Sequence, residues 1–312
     1  MVTLSRNDIL ALVAYPDLIA LLRDSYASRP AGPTRFHVNI ESTNQDADGT
    51  LLLMPWWDRE FLGVKIATIF PSNLQLNLPS VNASYLLSSS TTGVPLALMD
   101  GATLTQLRTA AIAGLASALL SRDNAHTLLM VGAGTLALPI IKAHSAVRSI
   151  ERVLLWNRTP SSAFRLKDHA ELAIPIEVVE DLDRAIPQAD IISCATLSKS
   201  PLIKGKLVQP GAHVNLIGAY TPAMRESDGD LLTKSRIFVD TLGGVLKEGG
   251  DLISADAEGS WNISRIEGQL QDLCSLSGSI RQDDGEITVF KSVGSGIQDL
   301  VAAKLAYLKH IE

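Results

Sequence analysis

Apolar residues recur at helical spacing through roughly the first 29 positions: Ile9, Leu10 and Val13, then Leu18, Leu21 and Leu22. Pro16 stands where it would open a second helix, so the pattern predicts an amphipathic helical lead-in. From residue 35 to 98 the text turns to runs rich in Val, Ile, Leu and Thr, broken by Gly, Pro and Asn, and these predict an antiparallel sheet with strands near 50–54, 62–70 and 81–88. A helical pattern then covers about 103–121. Its small residues (Ala110, Ala111, Ala113, Gly114, Ala116) suit close packing, and it reads as a bridge between two domains.

Beyond it the period changes to strand, glycine turn, helix and strand: 127–131, 132–134, 137–146 and 152–156, a βαβ unit. Further strands are expected at 176–179, 191–194, 213–217 and 237–239, and their alternation with turns and helices predicts an open, mostly parallel, Rossmann-type sheet. The tail from 290 to 311 reads as a turn bearing Gly294 and Gly296, then a helix that returns to the first domain.

Composition narrows the class. Hydrophobic residues are 46% and charged residues 19% of 312, the balance of a chain that folds throughout. Lys plus Arg is 27 and Asp plus Glu is 33, so 27 − 33 = −6, and without a basic run no nucleic-acid partner is expected. Cys194 and Cys274 lie too far apart for a metal knuckle or a disulfide framework, which fits a reducing, cytoplasmic setting. Arg6, Asn7 and Asp8 interrupt the start where a secretory signal would be apolar, and no run is long enough to span a membrane.

The sharpest chemical signal is Gly132-Ala133-Gly134-Thr135-Leu136-Ala137, a GxGxxA between a strand and a helix. Glycines there permit a tight turn and close approach of the backbone to a pyrophosphate, with the helix N-terminus behind it. A carboxylate roughly 20 residues on would bind the ribose hydroxyls of NAD. The corresponding place reads Trp156-Asn157-Arg158-Thr159. Arg158 can pair with a 2′-phosphate, and Asn157 and Thr159 can donate further bonds, so NADPH is favoured, with NADH as the alternative. The other reading of Arg158 is a solvated loop residue.

Lys65 lies within an apolar run, Leu62-Gly63-Val64-Lys65-Ile66-Ala67, where a charge is expected to face a cleft or to snorkel from an edge. Arg35 and Arg108 are also flanked by apolar residues, and three converging cations would receive a substrate carboxylate. Spacing alone leaves open whether they converge or form separate surface ion pairs. The six histidines lack metal-ligand spacing, so no metal is expected, and His37 is the one nearest these cations in sequence. Cys194 sits in an apolar strand and reads as core.

These stretches resemble the ornithine cyclodeaminase and mu-crystallin family over nearly the whole chain. The resemblance is carried by Gly63-Val64-Lys65 with Pro71-Ser72-Asn73, Leu107-Arg108-Thr109-Ala110-Ala111, the glycine loop, residues 190–196, Pro210-Gly211-Ala212-His213 through Gly218, Arg225-Glu226-Ser227-Asp228, Phe238-Val239-Asp240, Lys247-Glu248-Gly249-Gly250-Asp251 and Phe290-Lys291-Ser292-Val293-Gly294. It implies an α/β chain with a Rossmann-type doubly wound cofactor domain at 116–289. An α+β substrate and dimerisation domain would be built from 1–115 with 290–312, and the protein would be a homodimer.

The resemblance also implies roles. Arg35, Lys65 and Arg108 would hold the substrate carboxylate and act in catalysis, with Met54, Tyr220 and Glu248 lining the substrate site. Ser80, Arg108, Ala195, Thr196, Gly218 and Ser292 would join the glycine loop around the cofactor. Two positions depart from true cyclodeaminases: Tyr220, in Gly218-Ala219-Tyr220-Thr221-Pro222, replaces a catalytic Asp, and Leu52, before Met54-Pro55, replaces a second acidic residue. Closing a ring from ornithine needs groups that manage protons on the attacking amine, for which a phenol of reference pKa about 10 and a leucine are poorly suited. Reducing an imine already cyclic needs neither.

The form Gly-Ala-Tyr-Thr-Pro-Ala-Met-Arg-Glu is similar to that of relatives that reduce Δ1-pyrroline-2-carboxylate to L-proline, some also Δ1-piperideine-2-carboxylate to L-pipecolate. The expectation is therefore an NADPH-dependent ketimine reductase of proline metabolism, with Lys65 or a water supplying the proton to the imine nitrogen. Alternatives are cyclodeamination of ornithine, alanine dehydrogenase-like deamination, or NADPH-dependent binding of a small carboxylate ligand, as in mu-crystallin.

Overall fold

The computed structural model describes every residue except 29–31, 34 and 42–47, and for Leu74 only the backbone. In chain order the elements are β1 (Val2–Leu4), α1 (Arg6–Leu12), α2 (Tyr15–Ala27), β2 (Phe36–Ile40), β3 (Gly49–Trp57), β4 (Phe61–Ile69), β5 (Val81–Ser89), β6 (Pro95–Asp100) and α3 (Gly101–Leu120). There follow β7 (Thr127–Val131), α4 (Ala137–Ser145), β8 (Arg152–Trp156), α5 (Pro160–His169), β9 (Ile176–Val178), α6 (Leu182–Ala185), β10 (Ile191–Cys194) and β11 (His213–Leu216). The last are α7 (Gly229–Lys234), β12 (Ser235–Val239), α8 (Leu242–Glu248), α9 (Gly250–Ala257), β13 (Ile266–Gln269), α10 (Leu270–Ser275), β14 (Ile287–Lys291) and α11 (Gly296–Ile311).

The chain divides into two compact units. The first takes Met1–Leu22, the described part of Ala31–Arg108, and Ser295–Glu312; the second takes the described part of Arg23–Pro30 and Thr109–Gly294. The seams therefore fall at 108/109 and 294/295, where sequence had suggested 115/116 and 289/290. Helix α3 runs across the first seam, and β14 belongs to the sheet of the second unit, which moves the second seam toward the C-terminus.

The first unit holds a six-stranded sheet in the order β1-β6-β5-β4-β3-β2 among the described residues, antiparallel except where β1 runs parallel to β6. Alternate side chains of a strand face opposite sides. Leu52, Met54 and Trp56 of β3 are buried, as are Tyr85 and Leu87 of β5, on the face covered by α11.

The second unit holds an all-parallel sheet in the order β13-β12-β14-β11-β10-β7-β8-β9. Its central strands β7, β10, β11 and β14 are buried at every position, polar Ser193, His213, Asn215 and Thr288 included, because helices cover both faces of such a sheet. Chain order reverses between β7 and β10, and that switch point opens a crevice beyond the carboxyl ends of the strands.

Three expectations are corrected. The helical lead-in begins with a strand: Val2–Leu4 pairs with Ala97–Met99, and Ser5 then caps α1 through a reciprocal box with Asp8. The end of that segment, near residue 29, lies outside the described residues. Strands β13 and β14 were not anticipated, and β14 stands between β11 and β12 inside the sheet. The tail expected to open as a turn at 290 starts instead with the end of this strand, Phe290 and Lys291. The lysine is fully buried because Asp251 meets its ammonium at 2.9 Å.

Candidate functional site

In the first unit, Lys65 is directed inward from β4, with Met54 of β3 and Tyr85 of β5 as its cross-strand neighbours. Its side chain is 4% exposed. The ammonium lies 3.0 Å from Asp299 Oδ1 in a hydrogen bond, 2.9 Å from Oδ2 as an ion contact, and 3.3 Å from Thr105 Oγ1. From α3, Arg108 brings Nε to 3.2 Å from Asp299 Oδ1 and Nη1 to 2.8 Å from Gln298 Oε1. Gln298 and Asp299 come from the first turn of α11 and are fully buried.

Two buried cations thus share one carboxylate, which leaves an excess positive charge where an anion would be welcome. Arg35 adds to the same field: its charge and that of Arg108 both disfavour the Lys65 ammonium. Burial is the larger cause, Asp299 opposes it, and together they bring the Lys65 pKa down to about 8. The structure therefore brings Lys65, Arg108 and Met54 together, with Arg35 close enough to be felt. Sequence had no signal for Asp299, 234 residues from the lysine it holds.

In the second unit the GxGxxA loop follows β7. Gly132 has φ +108°, and a Cβ there would come within 2.8 Å of the Ala195 carbonyl oxygen, so the turn demands glycine. Around Gly134 nothing lies within 4 Å of where a Cβ would stand, which leaves the backbone open to a ligand. The Ala133 N–H donates to Asn157 Oδ1 at 3.1 Å, and Asn157 Nδ2 donates to the Thr159 carbonyl at 2.9 Å, so the two loops are tied together.

These loops and the one after β10 line a cleft of about 290 Å³ at the switch point. Gly132, Ala133, Gly134, Asn157, Arg158, Thr159, Ala195 and Thr196 all line it, joined by Trp156, Leu197, Ser198 and Leu202, which sequence reasoning did not single out. Arg158 is exposed, and no acidic side chain is among the residues of the lining. A glycine loop with open backbone, a helix start behind it and a cation at the end of the second strand fit a dinucleotide.

The remaining expected residues are placed as follows. Thr135 and Leu136 lead into α4 and, with Gly218 and Ser292, do not line this cleft. Gly218 stands behind Thr196, and the Ser292 hydroxyl donates to the buried Asp240 at 2.8 Å. Ser80 belongs to the first unit, as does Arg108. Tyr220 and Glu248 belong to the second unit, both partly buried, and burial raises the Tyr220 phenol. His37 is exposed on β2. His144 and His213 are enclosed and pushed down to about 3 by burial, so they are neutral core groups. Cys194 is buried, and that burial raises its thiol.

The family model for the ornithine cyclodeaminase/mu-crystallin family matches residues 1–312. The chain belongs to this family. Among its relatives, a Δ1-pyrroline-2-carboxylate reductase of Colwellia psychrerythraea is 39% identical over 293 residues, covering 93% of each chain. The solved Thermococcus litoralis Δ1-pyrroline-2-carboxylate reductase, in complex with NADH and L-proline, is 34% identical with a TM-score of 0.92, covering 100% of this chain and 98% of the other. An archaeal alanine dehydrogenase dimer with bound NAD is 28% identical with a TM-score of 0.89, covering 99% and 95%.

Proposed function

We propose that this protein is a nicotinamide-dependent oxidoreductase that reduces the C=N bond of a cyclic imino acid, Δ1-pyrroline-2-carboxylate to L-proline, with Δ1-piperideine-2-carboxylate as a second substrate. The observation that carries the reading is the pair of buried cations, Lys65 and Arg108, sharing the single carboxylate of Asp299. An α-imino carboxylate supplies the missing anion. Relatives bearing that activity over nearly the whole chain support the same reading.

Lys65, Arg108 and Arg35 bind and orient the carboxylate, which fixes the ring and the face of its C=N bond. The cleft lined by Gly132, Gly134, Asn157 and Arg158 would hold a reduced nicotinamide dinucleotide, which when bound would supply the hydride for the imine carbon. The nitrogen must gain a proton in the same event, and Lys65, with its pKa near 8, holds one it can release at physiological pH. Tyr220, raised by burial, and Leu52, enclosed in the core, provide no base for cyclising a linear diamine.

The deciding assay follows nicotinamide absorbance with Δ1-pyrroline-2-carboxylate and analyses the product for L-proline, with ornithine or alanine plus NAD as parallel arms. Proline formed from the imine is the expected result; ammonia released from ornithine or alanine, with the imine inert, would sink the reading. NADPH is the proposed cofactor because Arg158 stands exposed in the cleft. Arg158→Glu is expected to lower kcat/KM for NADPH by about 10- to 100-fold, the worth of a charge-assisted bond, while NADH changes by less than about threefold. Equal losses with both cofactors would remove Arg158 from 2′-phosphate recognition.

A homodimer is proposed as well. The sheet face of the first unit opposite α11 carries Phe36, Val38, Ile66 and Leu98, exposed by 54%, 48%, 43% and 38%, apolar side chains on one face of the kind a second copy covers. Light scattering should give twice the chain mass for the wild type and the single mass for Ile66→Glu. A wild-type monomer at micromolar concentration would refute the assignment.

A further inference from the structure

Beyond the residues that line the dinucleotide cleft, one buried carboxylate reaches its wall from behind. Glu226 is fully buried, and Oε1 accepts both the Thr196 N–H at 2.7 Å and the Thr196 hydroxyl at 2.8 Å. Oε2 accepts the Gly218 N–H at 2.7 Å. The backbone carbonyl of Glu226 accepts from the N–H groups of Leu202 and Ile203 at 2.8 and 2.9 Å. The loop after β10 is therefore anchored to this one residue at both ends of its cleft-facing stretch, since Thr196 and Leu202 both line the cleft.

The anchor is itself braced. The Glu226 N–H donates to Asp251 Oδ1 at 2.6 Å, and Asp251 Oδ2 meets the Lys291 ammonium at 2.9 Å, with all three side chains fully enclosed. Gly218 is glycine because the loops run against each other: a Cβ there would collide with the Thr196 backbone and the Glu226 carboxylate. Every side-chain partner of Glu226 named here donates to it, and a carboxylate can accept from all three at once. Held this way, the loop has lost its freedom before ligand arrives, so binding need not order it.

We propose that Glu226, in its ionised form, is a positioning residue for the dinucleotide: it touches no ligand, and it sets affinity by fixing the cleft wall formed by residues 195–202. This rests on the dinucleotide reading of the cleft and not on the identity of the imine. A proton on Glu226 would turn one acceptor into a donor facing donors and loosen the wall. Burial and the Asp251 charge push this carboxyl up to about 7, against Lys291 and the Thr196 donors, so that change falls near neutral pH. The other titratable group facing it is Cys194 on β10, which burial keeps a thiol.

The test is direct binding of NADH, read by energy transfer from tryptophan, between pH 6 and 8.5. NADH serves as probe because it lacks a 2′-phosphate that would itself titrate. Wild-type Kd should rise at least threefold as pH falls through 7. Glu226→Gln should bind at least tenfold more weakly at pH 8 with a flat profile, and Thr196→Val, which removes the hydroxyl donor, should lose several-fold more affinity than Thr196→Ser, which keeps it. Circular dichroism checks the fold of each variant. If Glu226→Gln does not fold, the wild-type profile and the Thr196 pair decide.

A wild-type Kd independent of pH, or a folded Glu226→Gln that binds like wild type, would overturn the assignment while leaving the nucleotide cleft standing. Failure of the wild type to bind NADH or NADPH would overturn the cleft reading and this assignment with it.

Discussion

Replacing Lys65 by methionine should lower kcat/KM for the cyclic imine by about 10³-fold or more, the combined scale of losing a positioned proton donor and a charged contact to the carboxylate. Methionine suits the test because it fills an apolar strand position without a charge, beside Met54. The wild-type profile should carry a partner signature. The competent lysine is the protonated one, for holding an anion and for donating a proton alike. Its pKa in the folded chain is lowered to about 8, so activity is present below that pH and is lost as pH rises through it. The variant should lack that alkaline limb. Initial rates from pH 6 to 10 check both, and a variant that keeps wild-type kcat/KM with the same limb would remove Lys65 from binding and from proton transfer together.

Part of this was legible along the chain. A lysine inside Leu62-Gly63-Val64-Lys65-Ile66-Ala67 is conspicuous because a charge in apolar text must either face a cleft or snorkel from an edge, and its burial beside Asp299 decides between the two. GxGxxA was legible because its meaning is local: a strand, a turn that only glycine makes, a helix, all within one βαβ unit, and Gly132 has the positive φ that the motif requires. Arg158 was legible for the same reason, as its place follows from counting along that unit.

What escaped was written in pairs far apart. Lys291 is enclosed because Asp251, 40 residues earlier, is folded against it, and its strand β14 stands inside the sheet, a pairing no local pattern announces. Glu226 stood in a recognisable stretch, yet its work depends on backbone N–H groups of Thr196 and Gly218, which no residue type announces. Val2–Leu4 is too short to show a period, and its pairing with Ala97–Met99 gives it strand form. A charge in apolar text therefore marks a position, and only tertiary contact identifies its partner.

Asp299 is the partner of this kind with the greatest consequence. Substitution by asparagine keeps shape and removes the negative charge between Lys65 and Arg108, leaving two buried cations opposed without compensation. Breaking a buried ion pair in this way costs about 3–5 kcal/mol of stability, against about 1 kcal/mol or less for the exposed bridge of Lys304 to Asp58 and Glu60. Urea unfolding of Asp299→Asn beside Lys304→Met should show that contrast. The catalytic effect has a definite sign. Asp299 is the group that raises the Lys65 pKa against burial and the two arginines, so removing it drops that pKa further below 8. The alkaline limb should move to lower pH, and kcat/KM at pH 8 should fall at least tenfold, with partial recovery on acidification. A limb that stays in place while stability falls would make Asp299 a structural tie alone and would locate the control of the Lys65 proton in burial and in the arginines.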